Sequence, residues 1–250
     1  AEKWVLFSNP YDPSHLRNKL VYDFARALDM PYTPQCQWVD LYLNGEYAGL
    51  YLLSERNEVH PQRVDLSEEG SFLVSRNQEW RMENRGHAYI RTDSGAALRI
   101  HDTTMPTERM RELWQSAENA IAAGDGVDPA TGKDYRELID LDSWARKYLI
   151  EEVFANVDQL SLFFYYDGAD ESGKIYAGPV WDYDFSLGNA MAWAASSPNM
   201  FTMHDLVWED GDWFSALYAK DDFYERMTQI YESEFLPLLT ELSGGKLERY

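Results

Sequence analysis

The chain has 250 residues, of which 43 are Asp or Glu and 22 are Lys or Arg, so its formal net charge is −21. This charge argues against binding to nucleic acids or anionic membranes, because no stretch of the chain is strongly basic. Hydrophobic residues make up 45% of the chain and aromatic residues 15%, which is too apolar for a disordered acidic segment. The single cysteine, Cys36, excludes an internal disulfide, and no apolar run approaches the roughly 18 residues of a membrane span.

The first part of the chain predicts a strand, a helix and a hairpin. Residues 4–7 form a short apolar strand pattern. Ser14 is the expected N-cap of a helix that continues to Leu28, because an apolar residue recurs every four positions. Asn44 and Gly45 lie between two strand-like segments and predict a tight turn, since both central residues of such a turn need positive φ.

The rest of the chain predicts short strands between 64 and 100, then helices over 106–123 and 142–155. Residues 190–212 are expected to be irregular. A capping-box pattern predicts that the last helix starts at Asp222. Strands that precede helices in this way predict an α+β fold, with two lobes and a cleft between them.

A second predicted hairpin brings three aspartates together. Its second arm leads into the segment WDYD, which contains Asp182 and Asp184. If Tyr166 lies opposite Ile175, the same register places Asp158 beside that pair.

Three carboxylates in one place need a partner, because two charges 4 Å apart repel by about 4 kcal/mol at an effective dielectric of 20. A divalent cation, a basic side chain or a shared proton would offset this repulsion. Oxygen ligands suit Mg²⁺ or Mn²⁺, with a phosphate oxygen completing the shell, and a nearby carboxylate can take a proton from a hydroxyl. This is the equipment of phosphoryl transfer. From the spacing alone, ordinary turn and capping roles for these aspartates remain the alternative.

Other chemistry is not indicated. The Walker-type phosphate loop, the GxSxG nucleophile motif and the HExxH zinc motif are absent, and the histidines show no metal-ligand spacing. Cys36 is interpreted as a buried apolar residue rather than a nucleophile. The aromatic residues at 163–166 are interpreted as core rather than as a sugar-binding platform.

Four ordered segments resemble the CotH (spore coat protein H) kinase family. They are DPSHLRNKLVYDFAR, VDLYLNGEYAGLYLLSE, ANVDQLSLFFYYD and GKIYAGPVWDYDFSLGN. The resemblance implies an atypical protein-kinase-like fold and transfer of phosphate from ATP to Ser or Thr of a protein substrate, with Mg²⁺ or Mn²⁺. It also favours a spore coat, a cell surface or secretion over the cytoplasm.

The resemblance implies roles for particular residues. Asp158 matches the catalytic aspartate that accepts the proton of the substrate hydroxyl. Asp182 matches the metal-binding aspartate, and Asp184 and Asn189 are further candidates for holding the metal.

Cofactor-binding roles are expected for three more residues. Arg17 and Lys19 lie in the RNK segment and are candidates to approach the phosphates or to pair with a carboxylate; a solvated helix face is the alternative. Glu55 ends a strand where a kinase-like fold has its hinge to the adenine, and its backbone is expected to matter more than its side chain.

The chain also departs from the family pattern. Nothing before Trp4 corresponds to a basic KxxxRxKF-like strand, and a glycine-rich phosphate loop is missing, so the N-terminal lobe is expected to be truncated. The predicted organisation is a partial N-lobe over 1–62, an inserted small sheet over 63–104 and a helical C-lobe over 105–250.

Two other functions remain open at this point. One is a catalytically inactive, kinase-like scaffold of a surface or coat assembly. The other is a carbohydrate-active module that uses an Asp pair. For the kinase, the acidic surface predicts a basic or neutral peptide substrate.

Overall fold

The computed structural model describes residues 3–66, 69–158, 162–168, 172–189 and 213–246. The chain begins with a three-stranded antiparallel sheet of β1 (Trp4–Phe7), β2 (Cys36–Leu43) and β3 (Glu46–Glu55), in the order β1-β3-β2. Asn44 and Gly45 have φ of 52° and 88° and form the turn between β2 and β3. The predicted first strand and the predicted hairpin are therefore confirmed.

Helix α1 (Arg17–Ala27) lies between β1 and β2 in the chain and packs into the main core. Its inward side chains include the fully buried Val21 and Tyr22. The predicted helix is confirmed, but Ser14 is not its N-cap. The helix begins after Leu16, and the Ser14 hydroxyl accepts a hydrogen bond from the Leu16 N–H at 3.2 Å, outside the helix.

Five antiparallel strands form a second sheet in the order β5-β6-β4-β7-β8. They are β4 (Phe72–Asn77), β5 (Tyr89–Arg91), β6 (Ala97–Thr103), β7 (Phe163–Tyr166) and β8 (Ile175–Ala177). Because β4 pairs with both β6 and β7, the strands of 63–104 share a sheet with the second hairpin rather than forming a sheet of their own. The lobe boundaries at 62 and 105 remain a prediction.

The register of the second hairpin is the predicted one. Tyr166 lies opposite Ile175, and Phe164 lies opposite Ala177. All four β7 side chains are buried, so they form core rather than a sugar platform.

Helices make up most of the remaining described chain. They are α2 (Glu79–Arg85), α3 (Thr107–Ala122), α4 (Tyr135–Leu138), α5 (Leu141–Val153), α6 (Trp213–Tyr218), α7 (Asp221–Ile230) and α8 (Leu236–Glu241). The predicted helices at 106–123 and 142–155 are confirmed, and α2 was not predicted. The predicted irregular stretch 190–212 lies outside the described residues, which resume in α6.

The capping box predicted at Asp222 is wrong. Helix α7 starts one residue earlier, and no side chain caps it. The Asp222 carboxylate instead accepts hydrogen bonds from the Tyr135 hydroxyl at 2.5 Å and from Arg136 at 3.2 Å. Tertiary partners on α4 therefore take the carboxylate that local sequence assigned to the helix end.

The core is rich in aromatic side chains. Trp114 of α3 contacts Phe164 of β7 and Trp213 of α6, with ring centroids 5.1 and 5.2 Å apart. Burial raises the pKa of the Cys36 thiol to about 11, which agrees with its interpretation as an apolar residue. Within the described ranges, the helices are too short or too polar to cross a membrane. The fold is thus α+β, with two sheets and surrounding helices.

Candidate active site

The WDYD segment follows β8 and forms a turn whose backbone is held by α1. Asp182 has φ of 61°, a left-handed conformation that is uncommon for a residue other than glycine and that clusters at functional sites. Three hydrogen bonds connect α1 to this turn: Asp182 N–H to the Tyr22 hydroxyl oxygen (3.2 Å), Tyr183 N–H to Asn18 Oδ1 (2.6 Å) and Arg17 Nε to the Ser186 carbonyl (2.9 Å). The RNK segment therefore positions the aspartate-bearing turn.

Arg17 also pairs with a buried carboxylate. Its guanidinium lies 2.5 Å from the carboxylate of Asp12, which is fully buried. Burial alone would raise the pKa of Asp12, but hydrogen bonds from Ser14 and Arg17 hold it below its ordinary value. The predicted cofactor-binding role of Arg17 remains a prediction, alongside its observed contact with the turn.

Lys19 and Glu55 also have protein partners. Lys19 forms an ion pair with Asp23 in the next turn of α1. The Glu55 carboxylate accepts hydrogen bonds from Arg63 at 2.5 Å and from the Gln35 N–H at 2.9 Å. Cofactor-binding roles for these two residues likewise remain predictions.

The three predicted carboxylates interact with one another. The Val157 N–H donates to the Phe185 carbonyl at 3.2 Å, which places Asp158 beside the WDYD turn. Burial and, to a smaller extent, the carboxylates of Asp184 and Asp158 together raise the pKa of Asp182 to about 7. Burial, followed by the charge of Asp158, also raises the pKa of Asp184. The three groups are therefore close enough to couple electrostatically, as the hairpin register predicts.

Asp158, Asp182 and Asp184 form an acidic cluster, and its members Asp182 and Asp184 are not neutralised by a basic side chain of the described residues. Across the described ranges, no Lys, Arg or His forms an ion pair with Asp182 or Asp184. As they lie, no three Asp, Glu, His or Cys side chains of the described chain are close enough together to enclose a metal ion. Proteins nevertheless usually bind Mg²⁺ with only one or two carboxylates, and water and phosphate oxygens complete its coordination shell. The donor set fits such an ion.

Asn189 closes the turn that carries Asp184. Its Nδ2 donates to the Asp184 carbonyl at 2.6 Å and to the Tyr11 carbonyl at 2.5 Å. The amide thus fixes backbone near the acidic cluster, and its role as a metal ligand remains a prediction.

Sequence reasoning missed a buried polar network under the acidic cluster. Lys147 and Glu151 of α5 form an ion pair at 2.7 Å, and both side chains are almost completely buried. The Tyr183 hydroxyl donates to Glu151 at 2.6 Å, and Asn156 Nδ2 donates to it at 2.7 Å. An i,i+4 Lys–Glu pair normally indicates a solvated helix face, so the spacing contains no signal of this burial.

The network connects to the acidic cluster at two points. Tyr183 lies between Asp182 and Asp184 in the chain, and Asn156 Oδ1 accepts a hydrogen bond from the Asp158 N–H at 3.2 Å. Glu151 therefore bonds to one side chain in each of the two segments that carry the acidic cluster.

The fold and the site together define an α+β protein with a partly buried acidic site, in which Asp182 and Asp184 form no ion pair with a described basic residue. The family model described as CotH kinase protein matches residues 1–243. The chain belongs to the CotH kinase family, and the resemblance found in the sequence is confirmed. The comparison with curated proteins finds no match. Family membership supports a kinase-like enzyme that uses ATP, and this family is linked to the spore coat.

Proposed function

We propose that the protein transfers a phosphoryl group from ATP to a Ser or Thr hydroxyl of a protein substrate, with Mg²⁺ or Mn²⁺ bound at the acidic cluster. The observation that carries the proposal is the pair Asp182 and Asp184, whose pKa values are raised by burial and by neighbouring carboxylates and which form no ion pair with a basic side chain of the described chain. Buried charges in proteins are normally paired or bound to metal, so a cation is the expected missing partner. Membership of the CotH kinase family supports the same chemistry.

In this proposal Asp182 and Asp184 hold the metal. The turn that presents them is fixed from three sides, by α1, by Asn189 and by the buried Glu151 network, so the carboxylates need little reorganisation. A bound divalent ion would screen the charge of the ATP phosphates. The small sheet of β1, β2 and β3 would form the N-lobe of a two-lobed, kinase-like fold.

Asp158 would accept the proton of the substrate hydroxyl. Its backbone N–H is held by Asn156, and the preceding residue is bonded to Phe185, so its carboxyl group has a defined place beside the metal-binding pair. A net charge of −21 favours a basic or neutral peptide as the substrate. A coat or surface protein would fit the link between the family and the spore coat.

Two measurements test the proposal against the inactive scaffold. The first is thermal unfolding with MgATP or MnATP at millimolar concentration. A ligand at 100 times its Kd stabilises the folded state by about 2.7 kcal/mol. This raises the Tm of a chain of this size by several degrees. The second is incorporation of radiolabelled phosphate into a basic Ser/Thr peptide. Stabilisation together with phosphate incorporation supports the kinase. The absence of both responses in the wild type favours the scaffold.

A further inference from the structure

A basic cavity of about 150 Å³ lies beside the candidate active site. Arg56, Arg99, His101 and Asn77 line it, together with Trp181, the residue before Asp182. Its volume is below the roughly 300–1,000 Å³ of pockets for drug-sized ligands. The cavity therefore suits a small group, such as a phosphate, better than a whole nucleotide.

Within the described residues, the arginines of this cavity have no acidic partner. Burial lowers the pKa of Arg99, and the charges of Arg56 and Arg85 lower it further, with no carboxylate opposing them. Arg99 Nε is buried and has no hydrogen-bond partner. Among the described residues, Arg56 and Arg99 form no ion pair.

Pairing with a carboxylate is common but not universal among the described arginines, since Arg81, Arg85 and Arg109 also form no ion pair there. Acidic residues outnumber basic ones by 43 to 22, so an arginine has abundant carboxylates to pair with. Other arginines do form ion pairs with Asp or Glu: Arg17, Arg26, Arg63, Arg91, Arg111, Arg136, Arg146 and Arg226. A cluster of arginines kept apart from carboxylates indicates that an external anion supplies the missing charge.

The remaining lining groups add hydrogen-bonding capacity without negative charge. His101 Nε2 lies 2.8 Å from the Ser75 hydroxyl, and its ring packs on Phe163 with centroids 4.7 Å apart. Burial and the nearby arginines lower the pKa of His101 to about 3, so this ring is neutral at physiological pH. The positive charge of the cavity therefore comes from its arginines.

We infer that this cavity binds a phosphate-bearing anion, with Arg99 as the main ligand and Arg56 as a second one. A guanidinium presents two parallel N–H donors that match phosphate oxygens, and Arg99 has a buried donor free for this purpose. The phosphate has two possible sources. One is the nucleotide bound at the acidic cluster, an assignment that rests on the proposed function; the other is a separate small phosphate.

The test is thermal unfolding of the full chain with pyrophosphate or inorganic phosphate, without metal and at constant ionic strength. Arg99→Gln is the main variant. Arg91→Gln is the matched control, because Arg91 lies on the neighbouring strand β5, is exposed and pairs with Glu79. We expect a saturable rise in Tm for the wild type and the control. For Arg99→Gln, the anion concentration that gives half of this rise should be at least tenfold higher.

A second variant keeps the test valid if Arg99→Gln folds poorly. Arg56 is exposed, so Arg56→Gln leaves the core intact, and we expect it to weaken the pyrophosphate response severalfold. An equal response in the wild type and in both cavity variants, or no response in the wild type, would overturn the inference.

MnATP distinguishes the two sources of phosphate. If Arg99→Gln also weakens the MnATP response, the nucleotide supplies the phosphate; if it leaves that response unchanged, the anion is a separate ligand. A wild type that responds to pyrophosphate through Arg99 but not to MnATP would refute the proposed function and leave this inference standing. A rise in Tm with MnATP that does not depend on Arg99, without a rise in Tm with pyrophosphate or phosphate, would refute this inference and leave the proposed function standing.

Discussion

Two charged clusters lie side by side in this molecule, and they are built in opposite ways. The Lys147–Glu151 pair is almost completely buried and contains its own cation, and the Tyr183 hydroxyl adds a further hydrogen bond. The acidic cluster consists of the carboxylates of Asp158, Asp182 and Asp184, and burial together with the neighbouring carboxylates raises the pKa of Asp182 and of Asp184. The first cluster is complete within the protein, whereas in the proposed function a divalent cation from outside completes the second. A buried charge without a partner is thus the better indicator of function.

The largest effect is expected on catalysis at the acidic cluster. Asp158→Asn removes the proposed proton acceptor while it keeps the size of the side chain. We expect the rate of phosphate transfer to fall by about 10²- to 10⁴-fold, because that is the usual contribution of a general base. The stabilisation by MnATP should persist. Transfer at the wild-type rate would remove Asp158 from the mechanism.

Breaking the complete cluster is expected to have the largest effect on stability. Lys147→Met leaves the Glu151 carboxylate buried without its cation, and removing one partner of such a pair costs about 3–5 kcal/mol. Urea unfolding measures the loss. The control is Arg146→Met at the adjacent position, whose partly exposed pair with Glu234 should contribute about 1 kcal/mol or less. Equal costs for the two variants would contradict the contrast between the clusters.

Neutralising Asp182 in the acidic cluster is expected to increase the stability of the protein rather than decrease it. The pKa of Asp182 rises from 3.8 to about 7 on folding, so the folded protein holds an extra proton between these values. The contribution of Asp182 to the free energy of unfolding therefore decreases by at most about 4 kcal/mol as the pH rises from about 4 to about 7. Above about pH 7 this contribution is constant.

Asp182→Asn should abolish this pH-dependent loss. In the absence of metal, the variant should gain stability over the wild type as the pH rises from 4.5 to 8, as measured by urea unfolding at several pH values. A difference between the two proteins that does not change with pH would mean that Asp182 is ionised throughout.

The smallest effect is expected at the residue that connects the two clusters. Asn156→Ala removes the bonds to Glu151 and to the Asp158 N–H, at a stability cost of about 1–3 kcal/mol. If Asn156 positions Asp158, kcat should fall about tenfold or less while the KM for ATP stays unchanged. A change in the KM for ATP alone would argue against this positioning role.

The parts of the fold that follow local rules could be predicted from sequence. The Asn44-Gly45 turn and the pairing of Tyr166 with Ile175 depend on turn chemistry and on strand alternation, and both are confirmed. The same register brought Asp158 to the acidic cluster. In contrast, Asp222 fits the pattern of a helix cap but binds Arg136, because a tertiary partner competes for its carboxylate.

The supporting parts of the site could not be predicted, because they depend on contacts between distant segments. Asn18 and Tyr22 hold the WDYD turn more than 150 residues away in the chain, and nothing in the α1 pattern specifies that contact. The basic cavity likewise combines Arg56, which follows β3, with Arg99 of β6. Only the three-dimensional structure reveals which charges lack partners.

Binding of Mn²⁺ in the presence of ATP tests the central claim most directly. Electron paramagnetic resonance counts bound Mn²⁺ for the wild type, for Asp182→Asn and for Asp23→Asn as a control at a carboxylate that already pairs with Lys19 and Arg26. We predict tight binding that depends on ATP in the wild type and in the control, and its loss in Asp182→Asn. Equal binding of Mn²⁺ by all three proteins would contradict the assignment of the acidic cluster as the metal site.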